Sequence, residues 1–200
     1  MTVVGDGREG VEPSAPVLDA VVSLLPLYPY PQASPEPIHP VARAMLNLVP
    51  RNSEFAAAPI DEGFNWAECM ADIAHGEWYL VVFRSVRQLA PDLDLLTELD
   101  DHAFAEAKAF SGLLHYFKGE LNGRRECLSF CLWEDQERAQ LAALLPKHLD
   151  AARMVREMYV SYSLERYRVV KNIGDSAPTF HRLLGDSLPG IAPTWPHSAN

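Results

Sequence analysis

The spacing of hydrophobic and polar positions becomes regular near residue 76 of this 200-residue chain. There, the run Glu77 to Val86 is rich in aromatic and β-branched residues and predicts a buried strand. Apolar positions three or four residues apart between Leu96 and Leu114 then predict a helix, which Asp92 or Asp94 can cap. The chain therefore enters a folded α+β module with a strand followed by a helix.

A hairpin is predicted next. Leu114 to Leu121 and Arg125 to Trp133 are the second and third strands, and the sequence Asn122-Gly123 lies between them. Asn-Gly is a strong hairpin signal because both residues tolerate positive φ. We therefore expect these two strands to be antiparallel neighbours.

The remainder of the module predicts further helix and one more strand. Glu134 and Asp135 suit a helix N-terminus, where the macrodipole favours acids, and Pro146 suits the first turn of a second helical segment. Val160 to Val170 predicts the fourth strand. The order β-α-β-β-α-β predicts a ferredoxin-like α+β fold, with two helices on one face of a four-stranded antiparallel sheet.

Proline-rich and irregular sequence flanks this module. We expect an N-terminal extension over residues 1–75, a ferredoxin-like domain over 76–172 and an irregular C-terminal tail over 173–200. The extension reads as a flexible leader followed by short helices, at Val17 to Leu27 and at Pro40 to Leu48, because its many prolines interrupt longer ones.

Charge and composition exclude several classes of partner. Seventeen basic against 27 acidic residues give a formal charge of −10, which repels nucleic acid phosphates and disfavours a polybasic membrane anchor. The sequence shows no signal peptide and no apolar run long enough to span a membrane. Three cysteines form no disulfide framework. We therefore expect a cytoplasmic protein with reduced thiols.

One face of the predicted sheet needs a cover. Two helices leave the other face open, and the alternation along the third strand separates leucine and phenylalanine from Trp133 and the cysteines. An open face lined by Trp, Tyr and Cys would be a large exposed apolar patch. A second subunit, the N-terminal arm or a ligand could cover it.

The stretch Ser129-Phe-Cys-Leu-Trp-Glu-Asp, followed by Ala139 and by Pro146-Lys-His-Leu-Asp-Ala, resembles the dimeric α/β-barrel superfamily. More narrowly, it is similar to antibiotic-biosynthesis-monooxygenase-type domains. The resemblance implies a homodimer whose sheets pack face to face, with a pocket between each sheet and its helices. Members of that superfamily include cofactor-independent oxygenases acting on polycyclic phenols, isomerases, and haem-binding proteins.

Histidine and tyrosine side chains are the candidates for proton transfer. By analogy with the family pattern, His148 can face the pocket as an acid, base or ligand, and a helix-surface histidine is the alternative interpretation. His115 and Tyr162 are the other catalytic candidates. A two-residue Asn-Gly loop would pair Tyr116 with Ser129, and a loop one residue different would exchange the faces, so either His115 or Tyr116 can line the cavity.

Further side chains are candidates for substrate binding. An arginine in a strand, Arg84 or Arg166, suits a carboxylate or phenolate. Cys131 as a nucleophile would need a depressed pKa, and a small core residue is the alternative. The predicted substrate-binding residues are Trp133, Tyr116, Ser129, Cys131, Arg84, Tyr159 and Trp78.

The leading hypothesis is a small-molecule enzyme of secondary metabolism that acts on a hydrophobic, aromatic or polycyclic substrate. Oxygenation, cyclisation or isomerisation without a cofactor would fit, since no nucleotide, serine-hydrolase or metal motif occurs in the sequence. The alternatives are a haem-binding protein on the same scaffold, with His148 or His115 as ligand, and a non-catalytic dimeric binding or structural protein.

Overall fold

The computed structural model describes residues 38–183. The predicted leader and the predicted helix at Val17 to Leu27 lie outside them. The elements in chain order are α1 (Pro40–Ala44), a 3-10 turn (Met45–Asn47), α2 (Trp66–Cys69), β1 (Gly76–Arg87), α3 (Leu93–Phe110), β2 (Leu113–Phe117), β3 (Glu126–Trp133), α4 (Gln136–Ala143), α5 (Pro146–Met158), β4 (Tyr159–Lys171) and β5 (Thr179–Arg182).

The strands form one antiparallel five-stranded sheet in the order β2-β3-β1-β4-β5. The predicted α+β class is confirmed, and the arrangement is consistent with a ferredoxin-like fold. The expected four strands were one too few, because Thr179–Arg182 pairs with β4 inside the tail that the prolines had marked as irregular.

Short-range signals place the helix ends. Asp92 accepts the backbone N–H of Leu95 at 3.0 Å and Asp135 accepts that of Arg138 at 2.8 Å, so both carboxylates cap helix N-termini. Pro146 occupies the first turn of α5. These three predictions are confirmed because each depends only on a residue and its immediate neighbours.

The hairpin between β2 and β3 differs from the predicted two-residue turn. Arg125 N–H donates to the Asn122 carbonyl at 2.9 Å, and Asn122 N–H donates to the Glu126 carbonyl at 3.0 Å. The turn between Asn122 and Glu126 therefore has three residues, and it ends with Arg125 at a φ of 62°. Strand β2 ends at Phe117, earlier than predicted.

The register of this hairpin decides which face each β2 side chain takes. Tyr116 is opposite Cys131 and His115 is opposite Leu132. The predicted pairing of Tyr116 with Ser129 was wrong by two residues, which preserves the face, since side chains alternate with period two. Tyr116 therefore shares a face with Cys131, and His115 points to the other side.

The sheet is covered on both faces. Residues 41–73 lie over the face opposite α3, α4 and α5, where Phe64 packs its ring edge-on against Phe117 and Phe130 at centroid distances of 4.9 and 5.3 Å. That face carries leucine, valine and phenylalanine, so the expectation that the open face carries Trp, Tyr and Cys was wrong. The central strands contribute Leu80, Val82, Leu128, Phe130 and Leu132 to this core.

Two cations, the partly buried Arg84 and the buried Lys171, fix the covering segment to the sheet. The Arg84 guanidinium donates to the carbonyls of Ala56 and Ala58 at 2.5 and 2.8 Å and pairs with Glu165 at 3.0 Å. Lys171 is 4% exposed and donates to the Met70 carbonyl at 2.6 Å. Each cation satisfies backbone carbonyls that have left regular secondary structure.

Replacing Arg84 should loosen this cover. We expect Arg84→Met to lower the free energy of unfolding by about 2 kcal/mol, because it leaves Glu165 and two carbonyls short of a donor. Urea denaturation measures the change. The matched control is Arg153→Met, which removes an arginine from an exposed pair with Asp150 and should change stability by less than about 1 kcal/mol. Equal effects of the two substitutions would contradict the assigned role of Arg84.

Candidate functional site

A cavity of about 280 Å³ lies between the sheet and the helices α3, α4 and α5. Its floor is the sheet face opposite the cover, and its roof combines alanines with larger apolar side chains such as Leu96, Phe104 and Met158. Because alanine reaches only one carbon from the backbone, the alanine positions leave space between the helices and the sheet. The alanines that line the cavity are Ala103, Ala107, Ala139, Ala143, Ala151 and Ala152.

The floor is aromatic. Tyr79, Phe83, Trp133, Tyr159 and Tyr162 all line the cavity. Tyr162 lies 5.4 Å from Tyr159 and 6.4 Å from Phe83 between ring centroids. Such a surface offers flat contacts to another ring at separations typical of aromatic pairs.

His148 lines the cavity from the first turns of α5, beside a carboxylate of α3. Its Nδ1 lies 3.5 Å from Glu106 Oε2, which is too long for a strong hydrogen bond and close enough for electrostatic attraction. The same oxygen accepts the backbone N–H of Lys147 at 2.9 Å and of His148 at 3.3 Å. Glu106 therefore caps α5 from a neighbouring helix and also faces the imidazole.

Burial sets the protonation state of this histidine. Desolvation lowers the pKa of His148 below its ordinary 6.5, while the nearby Glu106 acts in the opposite direction and offsets part of the shift. The imidazole is consequently neutral at pH 7 and able to accept a proton. The Glu106 carboxylate is placed to stabilise the imidazolium that would form.

A second polar group lies where β2 meets α3. The Tyr116 hydroxyl donates to Asp100 Oδ1 at 2.6 Å, and Lys118 pairs with Asp100 Oδ2 at 2.6 Å. Burial, followed by the charge of Asp100, raises the pKa of Tyr116 far above its ordinary value. The phenol therefore remains protonated, and its proton is already engaged by Asp100.

Two further phenols face the cavity from β4. Burial raises the pKa of Tyr159 to about 12 and raises that of Tyr162 well beyond its ordinary value. Within residues 38–183, neither hydroxyl has a hydrogen-bond partner. Both are hydrogen-bond donors available to a ligand.

Burial keeps the cysteines of β3 in the thiol form. Burial raises the pKa of Cys131 to about 12 and also raises that of Cys127. A thiol needs a depressed pKa to react as thiolate, so the small core residue is the better interpretation. Ser129, which also lines the cavity, accepts the N–H of Gly119 at 3.3 Å. A Cβ on Gly119 would lie 1.9 Å from the Leu128 carbonyl, so only glycine fits that approach.

Three predicted site residues lie on the other face of the sheet. His115 packs its ring 5.9 Å from that of Phe130, Trp78 is 7% exposed in the same core, and Arg84 holds the covering segment. The structure therefore contradicts their roles in a cavity shared with His148. The predicted residues that do line it are His148, Tyr162, Trp133, Tyr116, Ser129, Cys131 and Tyr159.

Sequence reasoning missed four polar groups of the site. Asp100 and Glu106 interrupt the apolar pattern of α3, and a charge within such a stripe was the available signal. Lys118 lies past the end of β2, where no local pattern marks it. Arg87 lines the cavity at the end of β1, but the register of β1 against β4 shifts between Val86 and Arg87, so alternation along the strand does not place it.

The cavity is small for a haem group. Sites for drug-sized ligands occupy roughly 300–1,000 Å³, and this one has about 280 Å³, enough for one or two fused rings and too little for a tetrapyrrole. Among the described residues, no group of three His, Cys, Asp or Glu side chains could hold a metal ion. In the same part of the chain, no helix is both long and apolar enough to cross a membrane.

Fold and site together define an α+β protein with a ligand-sized aromatic cavity. The chain belongs to the PB2B2.08-like family, whose model matches residues 32–181. No functionally curated protein matches the sequence.

Several solved structures resemble parts of the chain. A protein of unknown function from Nitrosomonas europaea, NE2512, is 16% identical with a TM-score of 0.39, over 57% of this chain and 97% of that one. SnoaB from Streptomyces nogalater, a cofactor-independent oxygenase, is 15% identical with a TM-score of 0.35, over 44% and 90%. A NIPSNAP-like domain protein from Burkholderia xenovorans is 12% identical with a TM-score of 0.34, over 59% and 94%.

Removing the charge of Glu106 should change the titration of His148. We expect Glu106→Gln to lower the pKa of His148 further, because the attraction that opposes desolvation is lost while the amide oxygen still caps α5. An NMR titration of the imidazole C–H resonances measures the shift. Glu98→Gln, which removes an exposed carboxylate from the same helix, is the control. An unchanged His148 pKa in Glu106→Gln would disprove the coupling.

Proposed function

We propose that this protein is a small-molecule enzyme that binds a hydrophobic, aromatic substrate in the cavity and initiates its reaction by removing a proton. The observation that carries the proposal is a neutral, partly buried histidine, backed by a carboxylate, in a cavity with an aromatic floor and protonated phenols. Convergence of perturbed titratable groups in an apolar pocket is typical of catalytic sites.

His148 acts as the general base in this proposal. Its lowered pKa leaves it unprotonated at neutral pH, so it can accept a proton from an acidic C–H or O–H of the substrate. The positive charge that forms is then stabilised by Glu106, whose Oε2 lies 3.5 Å from Nδ1. A histidine without this carboxylate would acquire its charge in a low-dielectric site at greater cost.

Tyr162 supplies the hydrogen bond to the negative charge that develops on the substrate. Its raised pKa keeps the proton on the phenol, and its hydroxyl has no partner within residues 38–183 that would compete. Tyr116 is less suited because Asp100 already accepts its proton. A donor fixed in a water-poor cavity stabilises an oxyanion more than the same donor does in water.

Oxygenation, cyclisation and isomerisation of aromatic substrates can each begin with such a deprotonation. The proposal therefore includes no metal or nucleotide cofactor and places the enzyme in secondary metabolism. A homodimer also remains part of the proposal. Since residues 41–73 already cover the second sheet face, its interface would use another surface.

The base can be tested without knowing the natural substrate. We expect the protein to accelerate hydrogen–deuterium exchange at the C–H groups beside the carbonyl of 2-tetralone, a two-ring ketone, followed by NMR in D₂O. His148→Asn should abolish the acceleration, and Tyr162→Phe should reduce it by about 10- to 100-fold. The rate should be level above pH 6.5 and fall as the pH drops through the lowered pKa of His148.

His102→Asn, at an exposed position of α3, is the matched control and should retain full exchange activity. Exchange that survives His148→Asn would remove His148 as the base. Binding of 2-tetralone without any accelerated exchange would favour the alternative of a non-catalytic binding protein.

Filling the cavity tests where the probe binds. Ala103 lines the cavity and Ala105 is exposed on the same helix, so the two alanines form a matched pair. We expect Ala103→Phe to weaken binding of 2-naphthol at least tenfold by occupying its space, and Ala105→Phe to leave the affinity unchanged. Isothermal titration calorimetry measures both affinities. Equal affinities for the two variants would place the binding site elsewhere.

A further inference from the structure

The wall of the cavity is more basic than the chain as a whole. The charged side chains that line it are Arg87, Asp100, Lys118 and Arg166, three cations and one anion, and Glu106 adds a second anion behind His148, whereas the complete chain has a formal charge of −10. Because acidic residues outnumber basic ones overall, this local reversal of sign is a property of the cavity. A cavity of this sign attracts and holds an anion.

An ion pair within the cavity neutralises one of its three cations. Lys118 and Asp100 form an ion pair at 2.6 Å and balance each other. Within the described part of the chain, Arg87 and Arg166 form no ion pair with a carboxylate. The cavity therefore retains two guanidinium groups without a counter-charge.

Arg87 is the less satisfied of the two. It is the last residue of β1, opposite Tyr159, and it lines the cavity. Its Nε is buried without a hydrogen-bond partner. Buried donors are normally paired, so an unpaired guanidinium nitrogen beside a ligand cavity indicates that the partner comes with the ligand.

Arg166 lies too far along the sheet to share one small anion with Arg87. It is opposite Val81, six positions before Arg87 on β1, which is roughly 20 Å at 3.3 Å per residue. One carboxylate can therefore engage only one of these residues.

We propose that the substrate is an aromatic acid whose carboxylate is bound by Arg87 at the end of β1. A guanidinium matches a carboxylate in a planar, two-bond geometry, so Arg87 would fix one end of the molecule while its rings lie over the aromatic floor. This assignment rests on the proposed function, because it names the class of substrate for the same cavity.

The test compares 2-naphthoate with its neutral analogue 2-naphthamide by isothermal titration calorimetry. We expect the wild-type protein to bind the carboxylate about tenfold or more tightly than the amide. Arg87→Gln should abolish that preference, Arg87→Lys should retain part of it, and Arg166→Gln should retain more of it than Arg87→Gln does. Circular dichroism confirms that each variant is folded.

The outcomes separate this inference from the proposed function. Equal wild-type affinity for the two probes would overturn the inference while leaving the cavity as a binding site, and this arm needs no variant. A preference that is lost in Arg166→Gln and kept in Arg87→Gln would also overturn it. Failure of both probes to bind would overturn the proposed function and this inference together.

Discussion

The structure depends on a sheet that is apolar on both faces. An antiparallel sheet commonly leaves one face to water, and the strands then alternate apolar and polar residues. In β1, Leu80 and Val82 are fully buried on one side, while Tyr79 is 4% exposed on the other. Both faces therefore need a cover, and they receive different ones. Residues 41–73 fill one face with packed aromatic rings, whereas the helices cover the other with a mixture of alanines and larger side chains and leave a cavity.

The chemistry of that cavity follows from its burial. Desolvation favours the neutral form of each titratable group, so the histidine is unprotonated and the phenols and thiols keep their protons. Some of the groups that remain charged are paired, as Lys118 is with Asp100. Arg87, in contrast, has a buried Nε without a hydrogen-bond partner. Such a site suits proton transfer between neutral groups and disfavours a thiolate or phenolate at neutral pH.

What the sequence could predict was limited by the range of the interactions involved. The caps at Asp92 and Asp135 and the separation of Leu128, Phe130 and Leu132 from Cys131 and Trp133 are local or strictly periodic, and they were correct. Strand β5 was missed because it forms by pairing with β4, and its own four residues carry no pattern that predicts this pairing. The errors at Trp78 and Arg84 share one cause. Both are even-numbered positions of β1, and only the pairing of Tyr79 with Trp133 and of Phe83 with Ser129 shows that the odd-numbered ones face the cavity. His115 was left open for the same reason, since the hairpin register fixes its face.

The sheet has one face that is fully packed and one that borders the cavity, and this difference explains how the protein remains stable despite the cavity. A cavity forfeits packing energy, and an unpaired buried donor such as the Arg87 Nε is unfavourable until a ligand binds. The opposite face supplies the compensation, through the Phe64 cluster and the clamps made by Arg84 and Lys171. That stabilisation lies on the opposite face of the sheet. Side chains on the cavity face can therefore be substituted to suit a different ligand while the fold is retained. The covering segment also occupies the surface on which face-to-face sheet dimers would pack, so a single chain can bury both faces without a partner.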